Sequence, residues 1–98
     1  MYIIRDIFHL KFGKAREAKE LLGRMRAIGN DAGYPAMRCL TDFTGDAYRL
    51  VLESEFDSLG AYEKDMTEAM RTDEWQQEYR KLVPLVESSH REILRVVE

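Results

Sequence analysis

The sequence predicts an α+β sandwich in the order βαββααβ, and three observations carry that prediction. Short β-rich runs at 2–11, 35–43, 48–56 and 89–97 are too brief for ordinary isolated helices. Between them, apolar residues recur at three- and four-residue spacing, the period of a helix with one face on a core. Thr44-Gly45-Asp46-Ala47 is a turn signal between the second and third runs, which therefore pair antiparallel as a hairpin.

Taken in order, the first strand is rich in Ile and aromatic residues and stops before Gly13. From Lys14 to Asn30, Ala15, Ala18, Leu21, Leu22, Met25 and Ile28 form one helical stripe, with Glu20 four residues before Arg24. Gly29, Asn30 and Gly33 tolerate the left-handed backbone that closes a helix, and Pro35 blocks its continuation. After the hairpin, Asp57 or Ser58 can cap a second helix whose Leu59, Tyr62, Met66, Ala69 and Met70 share a stripe. Thr72-Asp73 interrupts that pattern. Asp73 followed by Gln76 has capping-box spacing, and Trp75, Tyr79, Leu82, Val83 and Val86 make a third stripe ending near Pro84. Helices confined to one face of a four-stranded antiparallel sheet give a ferredoxin-like sandwich, and residues 1–98 are read as a single domain.

Composition narrows the function. At 98 residues, 45% hydrophobic and 34% charged, the chain is too apolar for a disordered tail yet short for a large core, so a second copy would help to bury its surface. A net charge of −3 excludes a general nucleic-acid binder, which needs a basic surface. No apolar run approaches the roughly 20 residues of a membrane helix. Arg5 and Asp6 break the first apolar stretch, so neither membrane association nor processing is expected. Cys39 is the only cysteine, which rules out an internal disulfide and fits a reducing cytoplasm. Metal-finger spacing, phosphate loops and nucleophile elbows are missing, and no metal or cofactor is expected. Residues 1–49 carry nine Lys/Arg against six Asp/Glu and residues 50–98 six against twelve, read as differently charged solvated helix faces, with head-to-tail packing of two copies as the alternative.

Strand side chains alternate between two faces. Tyr2, Ile4, Asp6, Phe8 and Leu10 share the apolar phase with Met37, Cys39, Thr41 and Phe43, and with Tyr48, Leu50, Leu52, Ser54 and Phe56. This is the face expected beneath the helices. The other phase mixes Ile3, Ile7, Leu40 and Val51 with Arg5, His9, Arg38, Asp42, Arg49, Glu53 and Glu55, joined in this reading by Arg91, Ile93, Arg95 and Val97. A solvated face does not need those aliphatics, and a closed core would not tolerate those charges. Two sheets packed face to face satisfy both, with Arg5, Arg38 and Arg49 of one copy meeting Asp42, Glu53 and Glu55 of the other.

Chemistry would sit between helices and sheet. Tyr2, Cys39, Thr41, Tyr48, Tyr62, Met66, Trp75 and Tyr79 are expected to line an aromatic cleft around Asp6, with His90 and Glu92 beside it. Rings offer large contact area to a flat apolar ligand, and a few polar atoms orient it. Asp6 beneath Tyr2 and Phe8 would be desolvated, the setting that makes a carboxylate a base. Asp6 and His90 are accordingly the candidate catalytic residues. Cys39, with no basic neighbour expected on its face, reads as a small buried hydrophobe.

The opening MYIIRDIFHLKFGK, the turn at Thr44-Gly45-Asp46, and above all Thr72-Asp73-Glu74-Trp75-Gln76-Gln77-Glu78-Tyr79 followed by Leu82-Val83-Pro84-Leu85-Val86 resemble the NIPSNAP family over nearly the whole chain. That family belongs to the dimeric α/β-barrel superfamily, with the antibiotic-biosynthesis and haem-degrading monooxygenases. The resemblance implies a homodimer whose two sheets close a barrel. The sequence departs from the family at Phe12, where a proline is usual, and at Ile4 and Asp6, where a Glu-x-Arg pair is common. Haem degradation would call for an Asn on the first strand and a helical His. Asp6 stands near the first position, but the Asp73–Leu85 segment has no His and Tyr79 takes the nearest place to it, so haem degradation is not expected.

The expectation is a cytoplasmic, homodimeric, NIPSNAP-like protein that binds a small apolar or aromatic molecule between helices and sheet. Alternatives are a cofactor-independent monooxygenase with Asp6 as base, and a structural dimerisation module with a solidly packed cleft. An open or a filled space around Asp6, Trp75 and Tyr79 separates them.

Overall fold

Strand β1 (Tyr2–Leu10) runs through the middle of a four-stranded antiparallel sheet of order β2-β3-β1-β4, where β2 is Met37–Thr41, β3 Arg49–Phe56 and β4 Val86–Arg95. The structure is a computed structural model and describes residues 1–97. Helices α1 (Ala15–Asp31), α2 (Leu59–Met70) and α3 (Asp73–Leu82) complete the order βαββααβ, and a 3-10 turn, Val83–Leu85, leads α3 into β4. Among the described residues no helix is long and apolar enough to cross a membrane.

One face of the sheet is buried under the helices. Ala18, Leu21, Leu22 and Met25 of α1 pack on Leu10, Leu50 and Leu52 of the sheet and on Leu82 and Leu85, forming the core. α1 also packs beside α3, and Arg24 bridges to Glu78 at 3.1 Å across that seam. Ser58 caps α2 by accepting from the Ala61 N–H at 3.1 Å. The cap of α3 is Thr72 rather than Asp73: its hydroxyl accepts from the Trp75 N–H. Gln76 instead donates to the Met70 carbonyl at 2.8 Å.

The second strand is shorter than the run 35–43. Pro35 has no N–H for a ladder, and the Asp42 carboxylate accepts from the Arg49 N–H at 2.8 Å, which closes the loop. That loop ends in a strained residue, Tyr48 at φ 61°, a left-handed conformation that a bulky side chain rarely adopts. Its carbonyl accepts from the Leu10 N–H at 2.8 Å, and its ring meets Phe12 edge-on at 4.7 Å.

Register corrects the assignment of β4. Ile4 faces Ser54 on one side but Ile93 on the other, so even positions of β1 match even positions of β3 and odd positions of β4. Arg91, Ile93 and Arg95 therefore lie on the helix side, while His90, Glu92 and Leu94 join Ile3, Arg5 and Ile7 on the outer face. β4 also begins three residues earlier than expected, and its register slips between His9 and Leu10, where Leu10 meets Val86.

Candidate functional site

Between the sheet and the helices lies a cleft of about 300 Å³. Its sheet side is built by Asp6 and Phe8 of β1, Leu52 of β3, and Ser89 and Arg91 of β4. Met25 of α1 and Met66 and Met70 of α2 supply flexible thioether walls. Helix α3 contributes Trp75, Gln76, Tyr79, Arg80 and Leu82, a run whose i, i+1, i+4, i+5 and i+7 spacing puts one side of the helix on the cleft. The volume is at the small end of ligand sites, and the wall is mostly apolar with a few polar groups, the usual make-up of such a site.

The polar centre is an ion pair. Arg91 Nε donates to Asp6 Oδ1 at 2.5 Å, and the Arg91 guanidinium lies 5.7 Å from the centre of the Tyr62 ring. Hydrogen bonding to Asp6 raises the Arg91 pKa. The Asp6 carboxylate thus has a cationic partner, where the sequence led us to expect a desolvated base. Tyr62 packs edge-on to Phe56 at 5.2 Å, and its buried hydroxyl has no hydrogen-bond partner among the described residues. Burial raises the pKa of that hydroxyl; Arg91 draws it down and Asp6 pushes it up, so the phenol senses both members of the pair.

Of the expected site residues, Asp6, Met66, Trp75 and Tyr79 come together in the cleft. Others share the sheet face or a helix but lie elsewhere. Tyr2 is at the far end of β1 with the Arg95 guanidinium 5.6 Å from its ring centre. Tyr48 and Thr41 line a separate small depression with Leu10 and Ala15. Cys39 is on the opposite edge strand, β2, where burial raises its thiol pKa and Arg26 offsets this only in part. Arg26 is thus a basic neighbour that the sequence did not reveal. His90 touches the cleft rim, but its ring stacks on His9 of the outer face, with centres 5.9 Å apart and planes at 25°. Glu92 also belongs to that outer face. Met25, Gln76, Arg80 and Arg91 were not anticipated: Met25 read as core, Gln76 as a cap, and Arg91 as an outer-face residue.

On the outer face several charges find partners within one chain. Glu53 accepts from Arg5 Nε at 2.8 Å and from Arg38. It is only 4% exposed because these two guanidinium groups lie over it. Hydrogen bonds from Arg38 and then Arg5 hold the Glu53 pKa below its ordinary value. Asp42 accepts from the Arg49 backbone, and the Arg49 side chain donates to the carbonyls of Asp46 and Thr44. Arg5, Arg38, Arg49, Asp42 and Glu53, expected to meet a second copy, make these bonds within one chain, and aliphatics lie open beside them: Leu40 and Leu94 are each 40% exposed. Among the described residues no group of His, Cys, Asp and Glu could hold a metal ion.

The model of the NIPSNAP family matches residues 4–98. The chain superimposes on a NIPSNAP family protein from Agrobacterium tumefaciens with a TM-score of 0.91 at 19% identity, covering 99% of this chain and 93% of that one. A NIPSNAP domain protein from Burkholderia xenovorans gives 0.86 at 18% identity, with 99% and 95% covered. A protein of the antibiotic biosynthesis monooxygenase type from Nitrosomonas europaea gives 0.78 at 14% identity over the whole of both chains. No curated protein matches the chain. These likenesses establish the ferredoxin-like α+β fold, and the family match over 4–98 establishes the lineage: the chain belongs to the NIPSNAP family.

Proposed function

We propose that this protein is a cytoplasmic homodimer that binds a small, flat, mostly apolar molecule in the cleft between α2, α3 and the sheet. The observation that carries this reading is the open space of about 300 Å³ around Asp6, Trp75 and Tyr79. A structural module would fill that space with its own side chains. Trp75 is the only tryptophan, so its ring is both the main stacking surface and an intrinsic reporter of occupancy. Naphthamide, a neutral two-ring probe, is expected to quench Trp75 fluorescence and to bind in calorimetry, with Trp75→Ala weakening it about tenfold. A saturating titration with neither heat nor quenching would end the proposal.

The outer sheet face is the proposed contact between copies. Ile3, Leu40, Val51 and Leu94 supply apolar area, while Glu53 with Arg5 and Arg38, together with His9, Asp42, Arg49 and Glu55, forms a polar rim that is partly paired within the chain. Leu40→Asp puts a charge into that apolar area and is expected to raise the dimer dissociation constant by about tenfold or more. Sedimentation equilibrium reads this directly, and a wild-type monomer at micromolar concentration would rule the dimer out.

Cofactor-free oxygenation is a second reading, favoured by the Asp6 carboxylate in the cleft wall and by the fold shared with proteins of the monooxygenase type. Arg91 already donates to one oxygen of that carboxylate, so a substrate hydroxyl would have to share Asp6 with it. Oxygen uptake with a panel of quinols and anthrones is expected to be the same for wild type and Asp6→Asn. A loss of uptake in the variant would favour the enzyme.

A further inference from the structure

The protein is acidic, with a formal net charge of −3, yet its cleft is not. The charged side chains of the lining are Asp6, Arg80 and Arg91, leaving one positive charge in excess, beside the Tyr79 phenol and His90, whose ring stacks on His9 of the other face. Asp6 is neutralised by Arg91, so the excess resides on Arg80. Arg80 makes no ion pair or side-chain hydrogen bond among the described residues. Arg91 spends only its Nε on Asp6, which leaves its two terminal amino groups without a protein acceptor among the described residues. A guanidinium with unspent donors beside an apolar wall matches the flat, two-oxygen geometry of a carboxylate.

We propose that the ligand of this cleft is an aromatic monocarboxylate of one or two rings, its ring system held against Trp75, Phe8 and Met66 and its acid group taken by Arg80 with Arg91. This inference rests on the ligand-binding reading above and adds the charge of the ligand to it. Asp6 sets the limit: one further carboxylate is attracted by the two arginines together, whereas a dianion would also meet the Asp6 oxygens. The pocket therefore selects a single acidic group.

The test compares two probes with the same ring system, naphthoate with its charged two-oxygen acid group and naphthamide with a neutral amide in its place, on the full chain by isothermal titration calorimetry. Naphthoate is expected to bind about tenfold more tightly than naphthamide, the ratio one charge-assisted hydrogen bond supplies. Added salt should erode that advantage while leaving naphthamide unchanged. Arg80→Gln is an exposed helix substitution, and it should reduce the naphthoate-to-naphthamide ratio toward one. Asp6→Asn should tighten naphthoate. Equal affinity for the two probes, or a naphthoate preference untouched by Arg80→Gln, would overturn the acidic ligand while leaving the apolar pocket standing. Binding of neither probe would remove both.

Discussion

Leu50→Ala is expected to destabilise the folded chain by about 3 kcal/mol, the middle of the range for emptying a packed leucine site. Leu50 is 1% exposed and sits on β3, an inner strand, beneath the Leu21, Leu22 and Met25 stripe of α1. β3 and α1 cannot close on the missing atoms, because β3 is pinned on both sides by β1 and β2. A domain of this size holds together by only about 5–15 kcal/mol, so the loss is a large share of the total. Thermal unfolding followed by circular dichroism should show a melting temperature lower by on the order of 15 °C, measured at matched protein concentration. A drop of only a few degrees would mean that the helix layer slides to fill the gap.

Glu53→Gln is the second large effect, and it has a pH signature. The substitution keeps the shape but removes the charge that Arg5 and Arg38 share, leaving one amide oxygen where a carboxylate accepted from both. At neutral pH the cost should be about 1.5 kcal/mol, the low end for a hydrogen bond to a charged group, because the freed guanidiniums can turn to solvent. The folded protein holds the Glu53 pKa below its ordinary 4.5. Its contribution is therefore fully present above that ordinary value and is lost as pH falls through the lowered one. Melting temperatures of wild type and variant should differ most near neutrality and converge in acid. A gap that stays constant from neutral to acid pH would mean that the carboxylate charge contributes nothing.

How far the sequence went depended on which question was asked of it. Periodicity located every helix and strand, because Leu21, Leu22 and Met25 or Ile4 and Phe8 repeat at the spacing that burial demands. It also divided β1, β2 and β3 into two faces, which cross-strand register bears out, although Ile7 of the outer phase is itself buried. It failed on β4, where Ile93 and Leu94 are adjacent aliphatics with no preferred phase, and where only cross-strand register decides that Arg91 meets Asp6. For the same reason the polar centre of the cleft was invisible: an ion pair between residues 85 positions apart leaves no local pattern. Parity also says which face a residue is on, not where along it. Tyr2, Thr41 and Cys39 share a face with Asp6, yet they stand at other ends or edges of the sheet. Thr72 was passed over as a cap because Asp73 with Gln76 offered the better-known spacing, and the Gln76 amide had a nearer acceptor in Met70.

Strand β4 has a consequence for how these molecules behave in a crowded solution. It forms one margin of the sheet, and from Glu87 to Arg95 its residues are all exposed, so among the described residues none shields the unpaired backbone along its free side. Such a margin is a template onto which another strand could add, the first step toward open-ended fibres. Two features oppose that growth. The register slip at Leu10 and Val86 bends the start of the strand, and Glu87, Arg91, Glu92 and Arg95 place charge of both signs along it, so an incoming strand must match that order to settle. Arg91 thereby has two duties: it tends the cleft on one side, and it helps keep the margin of the sheet from recruiting neighbours.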